Sequence, residues 1–173
     1  RFALSGMKGF GANIVDAIIE ERNNHGAFTD LFDFIERMSS GGINRKALET
    51  LVNSGAFDSF GLKRSQYFLP CRNGNLFLDE LVRYMDGYRN DKLSSGISLF
   101  GDVEELKPTR PEAPGMIGEE DQLAILQSEK ELVGMYLSSH PLDRYKFQID
   151  NFVNCALSDL GARIESHDDR LRV

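Results

Sequence analysis

The chain has 173 residues, a formal net charge of −7 at pH 7, two cysteines and three histidines. No apolar run is long enough to span a bilayer, and no basic and apolar leader opens the sequence, so we expect no membrane contact; any targeting signal on the parent chain is out of view. Cys71 and Cys155 are isolated and share no metal-ligand spacing, and we therefore expect a reducing, cytoplasmic compartment. Because the chain opens at Arg1, without a methionine, we interpret it as a piece of a longer protein.

The negative charge is confined to one part of the chain. Residues 1–64 and residues 65–100 each carry as many basic as acidic side chains, and residues 101–173 supply the whole surplus of −7. The N-terminal part is therefore neither acidic nor a basic patch. Any phosphate bound there must be held mainly by backbone donors, with a few cations helping.

Hydrophobic periodicity predicts an all-α fold with five helices, since no sustained alternation of apolar and polar residues precedes residue 145. Thr29 or Asp30 is expected to cap the second helix. The first helix is expected to end before the turn cluster Asn23-Asn24-His25-Gly26, and the fifth before Ser138. The apolar stripes of the five helices lie at residues 14–19, 31–38, 48–52, 78–85 and 123–137.

The stretch from Ala3 to Glu20 is interpreted as a helix–hairpin–helix element. Gly9 and Gly11 allow left-handed backbone angles and leave room for a phosphate, while Phe10 between them turns inward. The amides that open the next helix meet the positive end of its dipole, which favours an anion. The alternative is a simple helix–helix turn, since turns use Gly-x-Gly freely. The candidate DNA-binding residues here are Lys8, Gly9, Phe10, Gly11, Ala12 and Asn13.

A second, weaker copy of the hairpin lies between the second and third helices. Gly42 and Ile43 keep the glycine–apolar pair, and Asn44, which tolerates left-handed angles, stands where the second glycine would be. Arg45 and Lys46 open the next helix at the dipole end that disfavours cations, which favours a phosphate contact. A solvated face explains these two cations equally well, and the whole copy is alternatively structural only. Gly42, Asn44, Arg45 and Lys46 are the candidate DNA-binding residues of this copy.

Several segments closely resemble the alpha subunit of bacterial DNA polymerase III, a family of replicative DNA-directed DNA polymerases (nucleotidyltransferases). The most specific is the string Tyr136-Leu137-Ser138-Ser139-His140-Pro141-Leu142. The segments that carry the resemblance are 4–11, 17–22, 28–34, 44–51, 54–58 and 129–142.

The resemblance implies a non-catalytic role in chromosomal DNA replication. In that family a tandem helix–hairpin–helix domain follows the fingers and binds the backbone of primer–template duplex DNA. The hairpin often holds a monovalent cation on backbone carbonyls, which here would be those of Ser5, Met7 and Phe10. The palm carboxylates are absent, so we expect no catalytic residue, no activity of the chain alone, and Mg²⁺ only in the active site of the parent polymerase.

The resemblance also implies contacts with other replication proteins, namely a sliding clamp and further holoenzyme subunits. The family carries a clamp-binding string, Gln-x-x-Leu/Met-Phe, and Ile97, Ser98, Leu99 and Phe100 lie in the corresponding place. Gly96 replaces the glutamine, which removes one polar anchor. The alternative is a Leu-Phe pair tucked onto the helical domain.

The predicted organisation has five parts, separated by changes in composition. The acidic, proline-rich stretch at 101–118 is expected to be a mobile linker. The parts are a tandem helix–hairpin–helix module at 1–60, further helices at 61–100 with the clamp-binding segment at 96–101, the linker at 101–118, a helix and turn at 119–145, and the lead-in to an absent OB-fold at 146–173.

Two other classes of function compete with DNA binding in a polymerase. The first is a protein-interaction scaffold whose hairpins have lost contact with DNA. The second is a nuclease or glycosylase, which would need a catalytic Asp or Lys in a pocket next to the hairpin, and no suitable cluster stands out. We therefore favour DNA binding, with the scaffold as the alternative.

Overall fold

The computed structural model describes residues 4–94, 108–115 and 118–165. Over these residues the chain is helical, and its only sheet-like pairing is a single bridge between Pro70 and Leu76, which confirms the all-α prediction. No helix in the described ranges is long and apolar enough to cross a bilayer. The helices are α1 (Ala12–His25), α2 (Leu31–Arg37), α3 (Arg45–Asn53), α4 (Phe77–Ser94), α5 (Gln122–Val133), α6 (Lys146–Phe152) and α7 (Leu160–Glu165).

Short 3₁₀ turns connect these helices. They lie at Leu4–Gly6, Met38–Ser40, Asp58–Phe60, Arg64–Phe68, Pro141–Tyr145 and Leu157–Asp159. The chain divides into two compact units, Arg1–Tyr136 and Leu137–Val173. The first unit contains α1 to α5 and both hairpins.

The core of the first unit is built around α3 and α4. Helix α2 packs on α4, and α3 packs on both α4 and α5. Leu48, Val52, Phe77, Leu78 and Leu81 are completely buried, because the apolar stripes of α3 and α4 face each other. A chain of aromatic rings extends this core: Phe34 meets Phe57 edge to face, and the ring of Tyr67 is tilted against that of Phe57.

Two predicted helix ends are wrong by a few residues. Helix α1 continues through Asn23 and Asn24 to His25, and the amide of Gly26 closes it on the carbonyl of Arg22. Helix α5 ends at Val133 rather than at Leu137, because Gly134 adopts a left-handed conformation with φ of 87°. In both cases the helix ends at a glycine: Gly26, the last residue of the predicted turn cluster, and Gly134, which precedes the predicted end.

The predicted mobile linker is also partly wrong, because residues 108–115, hereafter the strap, pack on the first unit. Arg110 binds Glu36 through Nη2, at 2.7 Å from Oε1, and its guanidinium lies over the ring of Phe32. Gln66 donates from Nε2 to the carbonyl of Pro114 at 2.8 Å. Helix α5, which follows, belongs to the same unit as α1 to α4. The rest of the predicted linker, 101–107 and 116–117, lies outside the described residues.

The second unit has little interior in the described residues 137–165. Cys155 is the only buried side chain among those whose burial is described, at 137–161 and 164, and Phe147, Phe152 and Leu157 are exposed. His140 caps the turn that starts at Pro141: its Nδ1 accepts from the amide of Leu142, and its own amide donates to Asp143. His140 therefore has a structural role.

Candidate nucleic-acid interface

The first hairpin is a tight turn in which each residue has a distinct role. Gly9 has a φ of 79°, which only glycine adopts without strain. Phe10 is 8% exposed and closes the core beneath the turn, as predicted. Gly11 is not left-handed, contrary to the prediction: it is the extended N-cap of α1, with φ of −69° and ψ of 137°. Gly11 thus serves the site through its missing side chain rather than through its backbone angles.

Four exposed amides point out of this turn and the first residues of α1. The N–H groups of Gly9, Gly11, Ala12 and Asn13 donate to no acceptor in the described part of the chain. Three of them open a 14-residue helix, where the dipole adds a partial positive charge. The arrangement is suited to an anion with several acceptor oxygens, such as a backbone phosphate.

The amide of Lys8 is not part of this set. It donates to the carbonyl of Leu132, in the last turn of α5, at 2.8 Å. Lys8 can therefore contribute only its exposed side chain to a bound anion. Of the predicted leading helix, the described residues contain the 3₁₀ turn Leu4–Gly6 and the buried Met7.

The second hairpin repeats the backbone of the first. Gly42 has a φ of 74°, Ile43 is 2% exposed, and Asn44 is the extended N-cap of α3 with φ of −120°. The expectation that Asn44 adopts left-handed angles is therefore wrong. Its side chain is occupied as a cap, because Oδ1 accepts the amide of Ala47 at 2.9 Å.

The cations of the second hairpin differ in their availability. Arg45 is bound by Asp79 of α4, with Nε 2.6 Å from Oδ1, and by Glu49 at 3.1 Å. The Asp79 carboxylate is the main reason that the pKa of Arg45 is raised. Lys46 and Lys8 belong to no ion pair among the described residues. The structure thus places Arg45 in the α3–α4 contact and leaves one lysine at each hairpin.

The carbonyls predicted to hold a monovalent cation lie around the first turn. Those of Ser5 and Phe10 accept no hydrogen bond from the described residues, while that of Met7 accepts the amide of Phe10 at 3.3 Å. A carbonyl oxygen keeps a second lone pair when it accepts one hydrogen bond. Each of the three carbonyls therefore keeps acceptor capacity.

Two residues of α5 with notable contacts were missed by the sequence analysis. Leu132 receives the Lys8 amide, and Glu129, three residues earlier on α5, is completely buried against Arg64. The signal for Glu129 was present, because it lies with Leu126 and Val133 on the stripe of α5 that is buried. An acidic residue inside an apolar stripe indicates a buried partner.

Comparison with known proteins agrees with this geometry. A family model described as a helix-hairpin-helix motif matches residues 1–67, which contain both hairpins. Together with the two repeated turns, this match identifies a tandem helix–hairpin–helix arrangement within residues 1–67 of an all-α chain.

The chain is also similar to DNA polymerase III subunit alpha from several bacteria. It is 37% identical to the protein of Borreliella burgdorferi over 167 residues, 95% of this chain and 14% of the relative. It is 37% identical to the protein of Deinococcus radiodurans over 163 residues, which are 93% of this chain and 12% of the relative. It is 35% identical to the protein of Thermus aquaticus over 159 residues, which are 92% of this chain and 12% of the relative. The resemblance to the DNA polymerase III alpha-subunit family is thereby confirmed. The chain spans about one eighth of the length of these relatives.

Proposed function

We propose that the chain binds the sugar–phosphate backbone of primer–template duplex DNA, as a non-catalytic part of a replicative polymerase acting in the cytoplasm. The observation that carries the proposal is the set of four amides at residues 9 and 11–13 that find no acceptor within residues 4–94, 108–115 and 118–165, with Lys8 beside them. The second hairpin, with Lys46 as its available cation, is the weaker site. The polymerase relatives and the helix-hairpin-helix match support a nucleic-acid ligand over another anion.

A fluorescence-anisotropy titration with a primed duplex tests this proposal. Lys8→Ala removes the cation, and Gly11→Val places a branched side chain at an extended position where a Cβ meets nothing within 4 Å, so the variant should fold. We expect each change to weaken binding, and the salt dependence of the wild type to correspond to about two to four neutralised phosphates. Lys63→Ala, which removes an exposed lysine on another loop, is the matched control.

The same titration decides between DNA binding and the protein-interaction scaffold. If Lys8→Ala and Gly11→Val leave both the affinity and the salt slope of the wild type unchanged, the hairpin does not bind DNA. The scaffold function then takes precedence.

We also propose that a monovalent cation binds the carbonyls of Ser5, Met7 and Phe10 and adds positive charge beneath the phosphate. Duplex binding should then be stronger in potassium or sodium chloride than in a tetraalkylammonium chloride of equal ionic strength. A duplex affinity that is the same in all three salts contradicts the cation site.

Tethering to a sliding clamp is a separate proposal that rests on sequence alone, because Ile97, Ser98, Leu99 and Phe100 lie outside the described residues. An apolar Leu-Phe pair is suited to a hydrophobic groove on a partner. Replacing Leu99 and Phe100 by alanine should abolish capture of the chain by an immobilised clamp. Capture that persists in the double variant moves the contact elsewhere.

A further inference from the structure

Polar contacts join helix α5, and the residues just before it, to the rest of the first unit. Before its N-terminus, Glu120 accepts the amide and the hydroxyl of Ser65 at 3.0 and 3.1 Å. In its third turn, Glu129 pairs with Arg64, and at its end the carbonyl of Leu132 accepts the amide of Lys8. The last attachment is the one that reaches the candidate phosphate site.

The middle attachment is a buried ion pair with little freedom. Glu129 is completely buried and Arg64 is 11% exposed, with Nη1 of the arginine 2.8 Å from Oε1 of the glutamate. Arg64 is held in turn by Asp58, which accepts from both Nε and Nη2 at 2.9 and 2.6 Å. A planar guanidinium that is bound in a bidentate manner has a fixed orientation. Arg64 therefore also restricts the position of the Glu129 carboxylate, which it binds through Nη1.

The position of Glu129 on α5 connects this pair to the hairpin. Leu132 and Val133 follow Glu129 by three and four residues, so all three share one face of the helix. Rotation or sliding of α5 would pull a buried carboxylate away from its cation, which is costly. The ion pair therefore sets where the Leu132 carbonyl lies, and with it the backbone of Lys8.

We propose that Glu129 is a positioning residue for the phosphate site of the first hairpin, acting through the Arg64 pair, α5 and the Leu132–Lys8 hydrogen bond. It does not touch the DNA. The inference rests on the proposed function for its effect on binding, but its structural effect on the hairpin is measurable without DNA.

The test compares Glu129→Leu and Glu129→Gln with Glu131→Gln, which changes the same charge at an exposed position on the same helix. Glu129→Leu leaves Arg64 paired with Asp58 and should fold, because an apolar side chain of similar size suits this interior. Glu129→Gln keeps an acceptor for Arg64 and is the milder variant. We expect duplex affinity to fall about tenfold for Glu129→Leu, less for Glu129→Gln, and not at all for Glu131→Gln.

Amide hydrogen exchange separates positioning from general loosening. The Lys8 amide of the first hairpin should exchange faster in both Glu129 variants, while the Gly41 amide of the second, bonded to the Met38 carbonyl at 2.9 Å, keeps its wild-type rate. Equal acceleration of both amides, or an unchanged Lys8 amide, overturns the inference. If Lys8→Ala and Gly11→Val weaken duplex binding and Glu129→Leu does not, the inference fails while the proposed function stands. If neither hairpin variant weakens binding, the proposed function fails on its own.

Discussion

Gly9 and Gly42 adopt the same left-handed backbone, with φ of 79° and 74°. Each stands one residue before a buried apolar side chain and two residues before an extended N-cap. The two turns are thus copies of one structure, although only the first keeps two glycines. What differs between them is the chemistry of the N-cap, which is bare at Gly11 and carries an amide side chain at Asn44.

Gly9→Ala should lower the free energy of unfolding by about 1 kcal/mol, because alanine is strained at a positive φ. Gly11→Ala is the matched control, since Gly11 lies in a region that any residue adopts and a Cβ there meets nothing within 4 Å. Urea denaturation measures both. Equal losses of stability would contradict the assignment of the left-handed position to Gly9 alone.

Asn44→Ala should lower the free energy of unfolding by about 1 kcal/mol, because it removes the cap of the Ala47 amide. Asn44→Ser restores a capping oxygen and should keep most of the wild-type stability. The duplex affinity of the serine variant should also match the wild type, because the asparagine side chain is turned to its own helix. If the serine variant is as stable as the wild type but binds duplex DNA more weakly, the Asn44 side chain contacts the DNA after all.

Acid should destabilise the chain through the carboxylates around Arg37. The hydrogen bond from Arg37 lowers the pKa of Glu21, with His25 contributing. Burial raises the pKa of Asp33, but the Thr29 amide and Arg37 outweigh it, so the pKa of Asp33 is also lowered. Carboxyl groups with lowered folded-state pKa values stabilise the fold above their unfolded pKa values, and this stabilisation is lost as pH falls through the folded ones.

Thermal unfolding measured between pH 7 and pH 3 checks this expectation. The melting temperature should change little between pH 7 and pH 4.5, the ordinary glutamate pKa, and should decrease at lower pH. Glu21→Gln should make the decrease of the melting temperature in acid less steep, because one of the two carboxylates paired with Arg37 no longer titrates. An acid limb as steep as that of the wild type would show that other groups control acid unfolding.

Arg110→Ala should release the strap without unfolding the domain. Arg110 holds Glu36 and stacks on Phe32, whereas Arg72 binds Glu112 of the same strap at 3.4 Å with 90% of its own side chain exposed. Exposed pairs contribute about 0–1 kcal/mol, so Arg72→Ala is the control. Limited proteolysis within residues 108–115 should accelerate in Arg110→Ala only. If proteolysis accelerates equally in both variants, Arg110 is not the residue that holds the strap in place.

The elements that sequence predicted well depend on local patterns. Helices α2, α3 and α4 follow from apolar periodicity, and Asp30 caps α2 as one of two residues proposed for that place. The inward turn of Phe10 follows from its position between glycines at the start of a helix. Each of these features is decided by residues within one or two turns of each other.

The features that sequence predicted poorly depend on distant partners. Arg45 opens α3, but its role is decided by Asp79, which lies 34 residues further along the chain. The strap was expected to be mobile because its composition is polar and proline-rich, yet Glu36, Phe32 and Gln66 supply its contacts. The composition of a segment indicates how much apolar surface the segment can bury by itself. It does not indicate which other residues of the chain will pack against it.

The first hairpin offers backbone amides, rather than side chains, to any anion that binds there, and this constrains how the site can vary. Every residue except proline supplies an N–H, so positions 12 and 13 can change identity without losing a donor, while proline at either would delete one. Backbone amides do not titrate, so their contribution to anion binding should not change with pH. Such a site tolerates mutational drift in its sequence while its shape stays fixed.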